Sequence, residues 1–262
     1  MNHHPSIGIF DSGLGGLTVL EAIRRLMPYE SFTYVADSAH APYGSKPDAY
    51  IIERTNIIAD FLVNTQQAKA LVVACNTATA AAIKVLREKY NLPVIGMEPG
   101  LKPAVEATLS GTIGILATEN TLKSEKFSTL LDAHGHRARI LTQPCHGLVE
   151  AIESGQTDSP ATRTLLQQYL QPLLDAGADT IVLGCTHYPI FTPLIHELAP
   201  NVRIVETGAA VAKQLQRKLL EAGLASGSGE GDTRYFTSGD PAQVAALASA
   251  LLGRQTAFQK LP

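Results

Sequence analysis

The 262-residue chain is 45% hydrophobic and 17% charged, with a formal net charge of -3. That content suffices for one large α/β domain or two smaller ones, and the weakly acidic balance offers no basic field for nucleic acid or an anionic membrane, so a small molecule is the default partner. Three cysteines, none at Cys-x-x-Cys spacing, argue against a disulfide framework, a zinc ribbon or a thioredoxin-type pair.

In chain order, residues 1–5 lack the basic-then-apolar pattern of a leader, and no apolar run approaches the roughly 18 residues of a membrane span, so a cytoplasmic enzyme is expected. Residues 7–10 read as a strand running into Asp11-Ser12-Gly13-Leu14-Gly15-Gly16 and a helical pattern over 17–27. A second strand over 32–36 leads into a polar loop, 37–46, too rich in turn formers for regular structure. Loops that follow strands commonly carry function. Helical periodicity over 49–66, a strand over 71–74 ending at Cys75, a helix over 78–90 and a strand over 94–97 complete the first half.

From Gly111 the pattern starts again. Thr112-Ile113-Gly114-Ile115-Leu116-Ala117-Thr118 echoes Ser6-Ile7-Gly8-Ile9-Phe10-Asp11-Ser12, and Ile181-Val182-Leu183-Gly184-Cys185 echoes Leu71-Val72-Val73-Ala74-Cys75. The separations are similar, 67 residues from Gly8 to Cys75 and 71 from Gly114 to Cys185. A duplication is the economical explanation. It predicts two pseudo-symmetric doubly wound α/β domains, each with a mostly parallel sheet, and an active site in the cleft between them. Asp11 is matched by Ala117, so the chemistry of the halves should differ. A strand over 202–205, a helix over 208–222, a Gly/Ser-rich link over 223–231, a strand over 234–238 and a helix over 241–252 follow. Because Glu206-Thr207 follows a second-half strand, the tail is expected to return to the first domain. That gives 1–98 plus 207–262 as one domain and 99–206 as the other.

Both thiols finish strands, and ligands of open α/β sheets bind beyond the carboxyl ends of the strands. A free thiol titrates near about 8.5, so a working cysteine needs a helix N-terminus or a charge beside it. Asn76-Thr77 and Thr186 suit a helix start next to each thiol. A single buried cysteine often only packs. Two at equivalent positions of a repeat, each with polar flanks, point to chemistry, whereas Cys145 lacks such flanks and reads as structural. Thiols on opposite faces of a bound carbon suit racemisation or epimerisation, one removing a proton while the other returns one. Asp11 and His187 are candidates to orient or deprotonate the two thiols.

Together, Phe10-Asp11-Ser12-Gly13-Leu14-Gly15-Gly16, Ala36-Asp37-Ser38 with Pro42-Tyr43-Gly44, Ala74-Cys75-Asn76-Thr77-Ala78 and Leu183-Gly184-Cys185-Thr186-His187-Tyr188-Pro189 resemble the bacterial glutamate racemase family. The match spans most of the chain in order. The resemblance implies cofactor-independent interconversion of L- and D-glutamate through two cysteines, supplying D-glutamate for peptidoglycan. It assigns Cys75 to the face serving D-glutamate and Cys185 to the face serving L-glutamate. It also sets Asp11 with Ser12, Tyr43 with Gly44, Asn76 with Thr77, and Thr186 with His187 around the substrate. An acidic residue near the second thiol corresponds to Glu153, with Glu150 as a near alternative.

No lysine context announces pyridoxal phosphate, the Gly13-Leu14-Gly15-Gly16 turn is too short for a phosphate loop, and Gly-x-Gly-x-x-Gly is absent. His134-Gly135-His136 has no neighbouring ligands, so neither cofactor nor metal is expected. The expected partner is glutamate, with no nucleic acid or membrane, and a homodimer stays open as the assembly. Competing readings are an aspartate or hydantoin racemase, a two-thiol redox protein and a non-catalytic amino-acid binder.

Overall fold

The computed structural model describes residues 5–262, so the N-terminal stretch read above lies mostly outside the described residues. The elements run β1 (Ile7–Asp11), α1 (Gly16–Leu26), β2 (Phe32–Ala36), α2 (Asp48–Asp60), β3 (Ala70–Val73), α3 (Asn76–Lys89), β4 (Val94–Ile95) and α4 (Leu101–Ala107). The second series is β5 (Thr112–Ala117), α5 (Glu119–Lys123), α6 (Glu125–His134), β6 (Arg139–Pro144), α7 (Leu148–Glu153), α8 (Pro160–Asp175), β7 (Thr180–Gly184), α9 (Thr192–Leu198) and β8 (Arg203–Val205). The tail adds α10 (Gly208–Glu221), β9 (Thr233–Thr237), α11 (Pro241–Leu252) and β10 (Phe258–Lys260).

Two sheets form, ordered β10-β9-β2-β1-β3-β4 and β6-β5-β7-β8. Every strand pairing is parallel. Each sheet therefore contains the order second, first, third, fourth, and in both the third strand is the one that ends before a thiol. The central strands β1, β3, β5 and β7 are almost wholly apolar and buried because helices cover both faces, whereas the edge strands β6, β8 and β10 are polar or partly exposed. Alternate residues of β1 enter opposite layers: Ile7 and Ile9 pack with Leu20, Tyr34 and Leu215, while Phe10 packs with Val35, Ile58 and Val73. In β7, Ile181 and Leu183 pack with Leu116 and Leu170, and Val182 packs on the other side with Ile113 and Ile115. After β8 the chain leaves the second sheet. Val211, Leu215 and Leu219 of α10 join Leu17 and Leu20 of α1, and β9 and β10 extend the first sheet beyond β2.

Local departures from the sequence pattern have identifiable causes. The helix expected over 49–66 stops being α-helical at Asp60 and continues as a wider π-type turn, Phe61–Thr65. There the Gln66 and Ala68 N–H groups bond the Phe61 and Leu62 carbonyls, which keeps Leu62 in the core while the chain turns toward β3. The strand expected over 94–97 has two residues, because the Met97 N–H is taken by the Thr79 hydroxyl at 3.1 Å. The 37–46 loop holds two single 3-10 turns, Ser38–His40 and Tyr43–Ser45. Strand β10 was not legible, being three residues with two of them exposed. Among the described residues, no helix is long and apolar enough to cross a membrane.

Candidate active site

The carboxyl ends of β1, β3 and β7 converge on one buried cluster of polar side chains. Asp11 is the last residue of β1 and is fully buried. Its Oδ2 accepts from the N–H groups of Gly16 at 2.9 Å and Gly13 at 3.3 Å, so the carboxylate folds the glycine loop back on itself. The Tyr34 hydroxyl fixes the loop from below by donating to the Gly13 carbonyl at 2.7 Å. Burial pushes the Asp11 carboxyl up, opposed by the charge of His187 and the Gly16 N–H. A Cβ at Gly15 would overlap the His187 ring and backbone N–H, and one at Gly13 would displace the Glu153 carboxylate from its present place. The second half of the molecule presses directly on the first loop.

Cys75 occupies the N-cap position of α3, and its sulfur accepts from the Ala78 N–H at 3.4 Å. The thiol points to the Ser12 hydroxyl at 3.9 Å. Burial pushes this thiol well up, and the charges of Asp11 and Cys185 add to that; the Ala78 N–H acts the other way. These effects favour the neutral thiol form of Cys75. The side chain of Asn76, which opens α3, is buried with neither its amide nitrogen nor its oxygen bonded. Buried amides almost always find partners, so Asn76 is a candidate to bind a polar ligand.

Around Cys185 the local structure differs. The expected helix start directly after the thiol is replaced by a bend, then a 3-10 turn, Tyr188–Phe191, before α9. Pro189 and Pro193 set these two short helix starts, each suited to a first turn. In place of a helix N-terminus, this thiol has His187. The ring Nδ1 lies 3.8 Å from the Cys185 sulfur, and Nε2 lies 2.7 Å from Glu153 Oε1. Burial alone would disfavour the imidazolium. Hydrogen bonds to Cys185 and Glu153 and the charge of Asp11 outweigh it, so the His187 pKa is raised well above the usual value. Glu153 Oε1 also accepts from the Leu14 N–H at 2.6 Å, bridging the halves. Of the two candidate carboxylates, Glu153 meets His187, whereas Glu150 is exposed and lines a separate crevice with Cys145 and His146. Cys145 spends its thiol on the Gln143 carbonyl at 3.3 Å. All three cysteines are free thiols.

Thr186 donates to Asp11 Oδ1 at 3.4 Å, and its carbonyl accepts from the Thr18 hydroxyl at 3.2 Å. On another flank the Tyr43 hydroxyl donates to Asp37 Oδ2 at 2.5 Å. Arg54 holds the same carboxylate through Nε at 3.0 Å and Nη2 at 2.8 Å. What the Tyr43-Gly44 segment presents across the cleft is backbone: a Cβ on Gly44 would lie 2.7 Å from Thr118 Cβ. Thr118 in turn shares hydrogen bonds with Thr77 at 2.9 Å and Thr121 at 2.9 Å. Sequence reasoning did not single out Thr118, Thr121 or Arg54. For Thr118 a signal existed, since the repeat sets it opposite Ser12. Nothing in the local sequence announces Arg54.

Fold and site define a two-sheet α/β protein that brings two thiols, an imidazolium and two carboxylates to one cleft. A family model described as Asp/Glu/Hydantoin racemase matches residues 16–215. A glutamate racemase of Ectopseudomonas mendocina (strain ymp) is 55% identical over 251 residues, covering 95% of this chain and 95% of that protein. A glutamate racemase isoform of Bacillus anthracis superposes with a TM-score of 0.89 at 32% identity, covering 99% of this chain and 98% of that one. The Escherichia coli glutamate racemase, solved with L-glutamate and the activator UDP-MurNAc-Ala, gives 0.88 at 31% identity over 99% and 98%. The chain belongs to the Asp/Glu/hydantoin racemase family and groups within it with the glutamate racemases, which are isomerases.

Proposed function

We propose that the protein interconverts L- and D-glutamate without a cofactor, in the cytoplasm, by proton transfer between the substrate α-carbon and two cysteines. The observation that carries this reading is the pairing of thiols at the ends of equivalent third strands in two sheets of the same order, each with a different proton partner. In the L-to-D direction the Cys185 thiolate, beside His187, removes the α-proton. The planar carbanion then takes the Cys75 proton on the opposite face, leaving Cys75 as thiolate and Cys185 as thiol. The protein is then set for the mirror reaction, with the His187 ring, 2.7 Å from Glu153, placed to stabilise the Cys185 thiolate when it forms again. Asp11, fully buried and close enough to act on both Cys75 and His187, orients this exchange or meets the substrate ammonium group.

Ser12, Tyr43, Gly44, Asn76, Thr77, Thr186 and His187 would surround the substrate, with amides and hydroxyls suited to its carboxylates. The unpartnered Asn76 amide supports that placement. The cleft lies between a domain of residues 1–98 plus 207–262 and one of 99–206. The activity of the glutamate racemases this chain resembles, and the L-glutamate bound to the E. coli protein, support glutamate as the substrate, and the product would serve peptidoglycan synthesis.

The test is proton NMR of enantiopure L-glutamate, then D-glutamate, in deuterium oxide with no added cofactor, with optical rotation followed in parallel. Loss of the α-proton signal together with decaying rotation is expected. Retention of both on glutamate would overturn the reading and turn the assay to aspartate and hydantoins.

A further inference from the structure

The Tyr43 ring is anchored in the core of its own half with Phe10, Val35 and Ile58, while the backbone of the Tyr43-Gly44 segment meets the other half of the molecule. Within its own half the segment has two hydrogen-bond ties, the Tyr43 hydroxyl on Asp37 and the Lys46 N–H on the Tyr43 carbonyl at 3.1 Å, which closes the single 3-10 turn. The carbonyls of that turn face α5. There Asn120 Nδ2 donates to the Lys46 carbonyl at 2.7 Å and to the Tyr43 carbonyl at 3.3 Å. The same short helix begins at Thr118, which touches Gly44 and hydrogen-bonds Thr77. One element of the second half thus meets two of the three substrate-facing segments of the first, Tyr43-Gly44 and Asn76-Thr77. The thiols are only 4% and 7% exposed, so entry of a substrate the size of an amino acid would require the halves to part. Parting removes the Asn120 amide from both carbonyls, and rejoining restores it.

We infer that Asn120 is a positioning residue that couples closure of the cleft to the shape of the Tyr43-Gly44 backbone, and through it to substrate affinity. The inference rests on the racemase reading for the identity of the ligand and on geometry for the coupling. An amide is suited to this because it supplies two N–H donors from one nitrogen and carries no charge into the cleft mouth. Asn120→Ala removes both bonds. Asn120→Asp replaces the donors by acceptors that face two carbonyls, and so should act more strongly than alanine.

The experiment measures kcat and KM for both enantiomers in wild type, Asn120→Ala and Asn120→Asp, with amide hydrogen exchange read peptide by peptide in the absence of substrate. For Asn120→Ala, KM should rise about fivefold to tenfold, the loss of one small hydrogen-bond set, with kcat within about twofold because the thiols are held by other contacts. The aspartate variant should exceed that rise. Exchange should quicken in the peptide spanning 43–46 and stay unchanged in β1, β3 and β7. Wild-type KM in both variants, a fall in kcat at constant KM, or exchange that quickens throughout the chain would each overturn the inference. If wild type itself fails to racemise glutamate, the functional reading falls, while the exchange pattern still decides whether Asn120 holds the loop.

Discussion

The Asp37–Arg54 pair is the sharpest place to test whether the site is held as described. Asp37 is fully buried and the Arg54 side chain is 15% exposed. The guanidinium grips both carboxylate oxygens, and the Tyr43 hydroxyl supplies a third bond. Removing one partner of a buried ion pair typically costs about 3–5 kcal/mol, because the remaining charge is left without compensation. Partial exposure of Arg54 lets water reach the gap, so Arg54→Ala should cost about 3 kcal/mol, the low end of that range. Alanine in the middle of α2 returns only a few tenths of a kcal/mol in helix propensity. Urea unfolding followed by circular dichroism gives the number directly. The double variant Asp37→Asn with Arg54→Met carries no buried charge and should recover more than half of the loss. A cost below about 1 kcal/mol for Arg54→Ala, or a double variant less stable than the single, would refute the assignment of Arg54 as the counter-charge that holds Asp37 and Tyr43 in place.

Three further outcomes are expected. Cys75→Ser and Cys185→Ser should each lower racemisation about a hundredfold to ten-thousandfold without unfolding the protein, since each removes one acid–base group; full activity in either variant, read by optical rotation, would exclude a two-thiol mechanism. His187 binds its proton more tightly in the folded state than in the unfolded chain, so its stabilisation is complete below pH 6.5 and is lost as pH rises through the raised folded value. The difference in Tm between wild type and His187→Gln should therefore shrink steadily with alkalinity, and a difference that grows would contradict the ion-paired imidazolium. Gly15→Ala has no backbone strain to relieve, but its methyl group falls on the His187 ring; overpacking of this kind costs about 1–3 kcal/mol, and a variant with unchanged Tm and unchanged kcat/KM would show that the halves are not in contact there.

The two halves share geometry while dividing the chemistry. Asp11 and Ala117 end equivalent strands, but only the first carries a carboxylate, and the second thiol compensates through His187 and Glu153. One thiol lies at a helix N-terminus beside an anion, the other beside a cation. That inequality suits a reaction in which one sulfur must be protonated while the other is not.

Much of this was already readable in the chain. Period and composition located the strands that end at Asp11, Cys75 and Cys185, because strands covered on both faces leave continuous apolar runs that stop where the polar cleft begins. The repeat between residues 6–12 and 112–118 foretold two pseudo-symmetric α/β units with mostly parallel sheets; their shared order of second, first, third and fourth strand emerged only from the fold. Local sequence also marked the glycine loop, since no side chain fits where the opposite half approaches. Contacts across the cleft were different in kind. The choice of Glu153 over Glu150 depends on which turn of α7 faces His187, and that is decided by how the halves dock. The bonds from Asn120 to the Tyr43 and Lys46 carbonyls span more than seventy residues, and Arg54 reaches Asp37 from another element. A residue's chemistry is written in its own position, but its partner across a cleft is set by packing summed over the whole core, which no local pattern encodes.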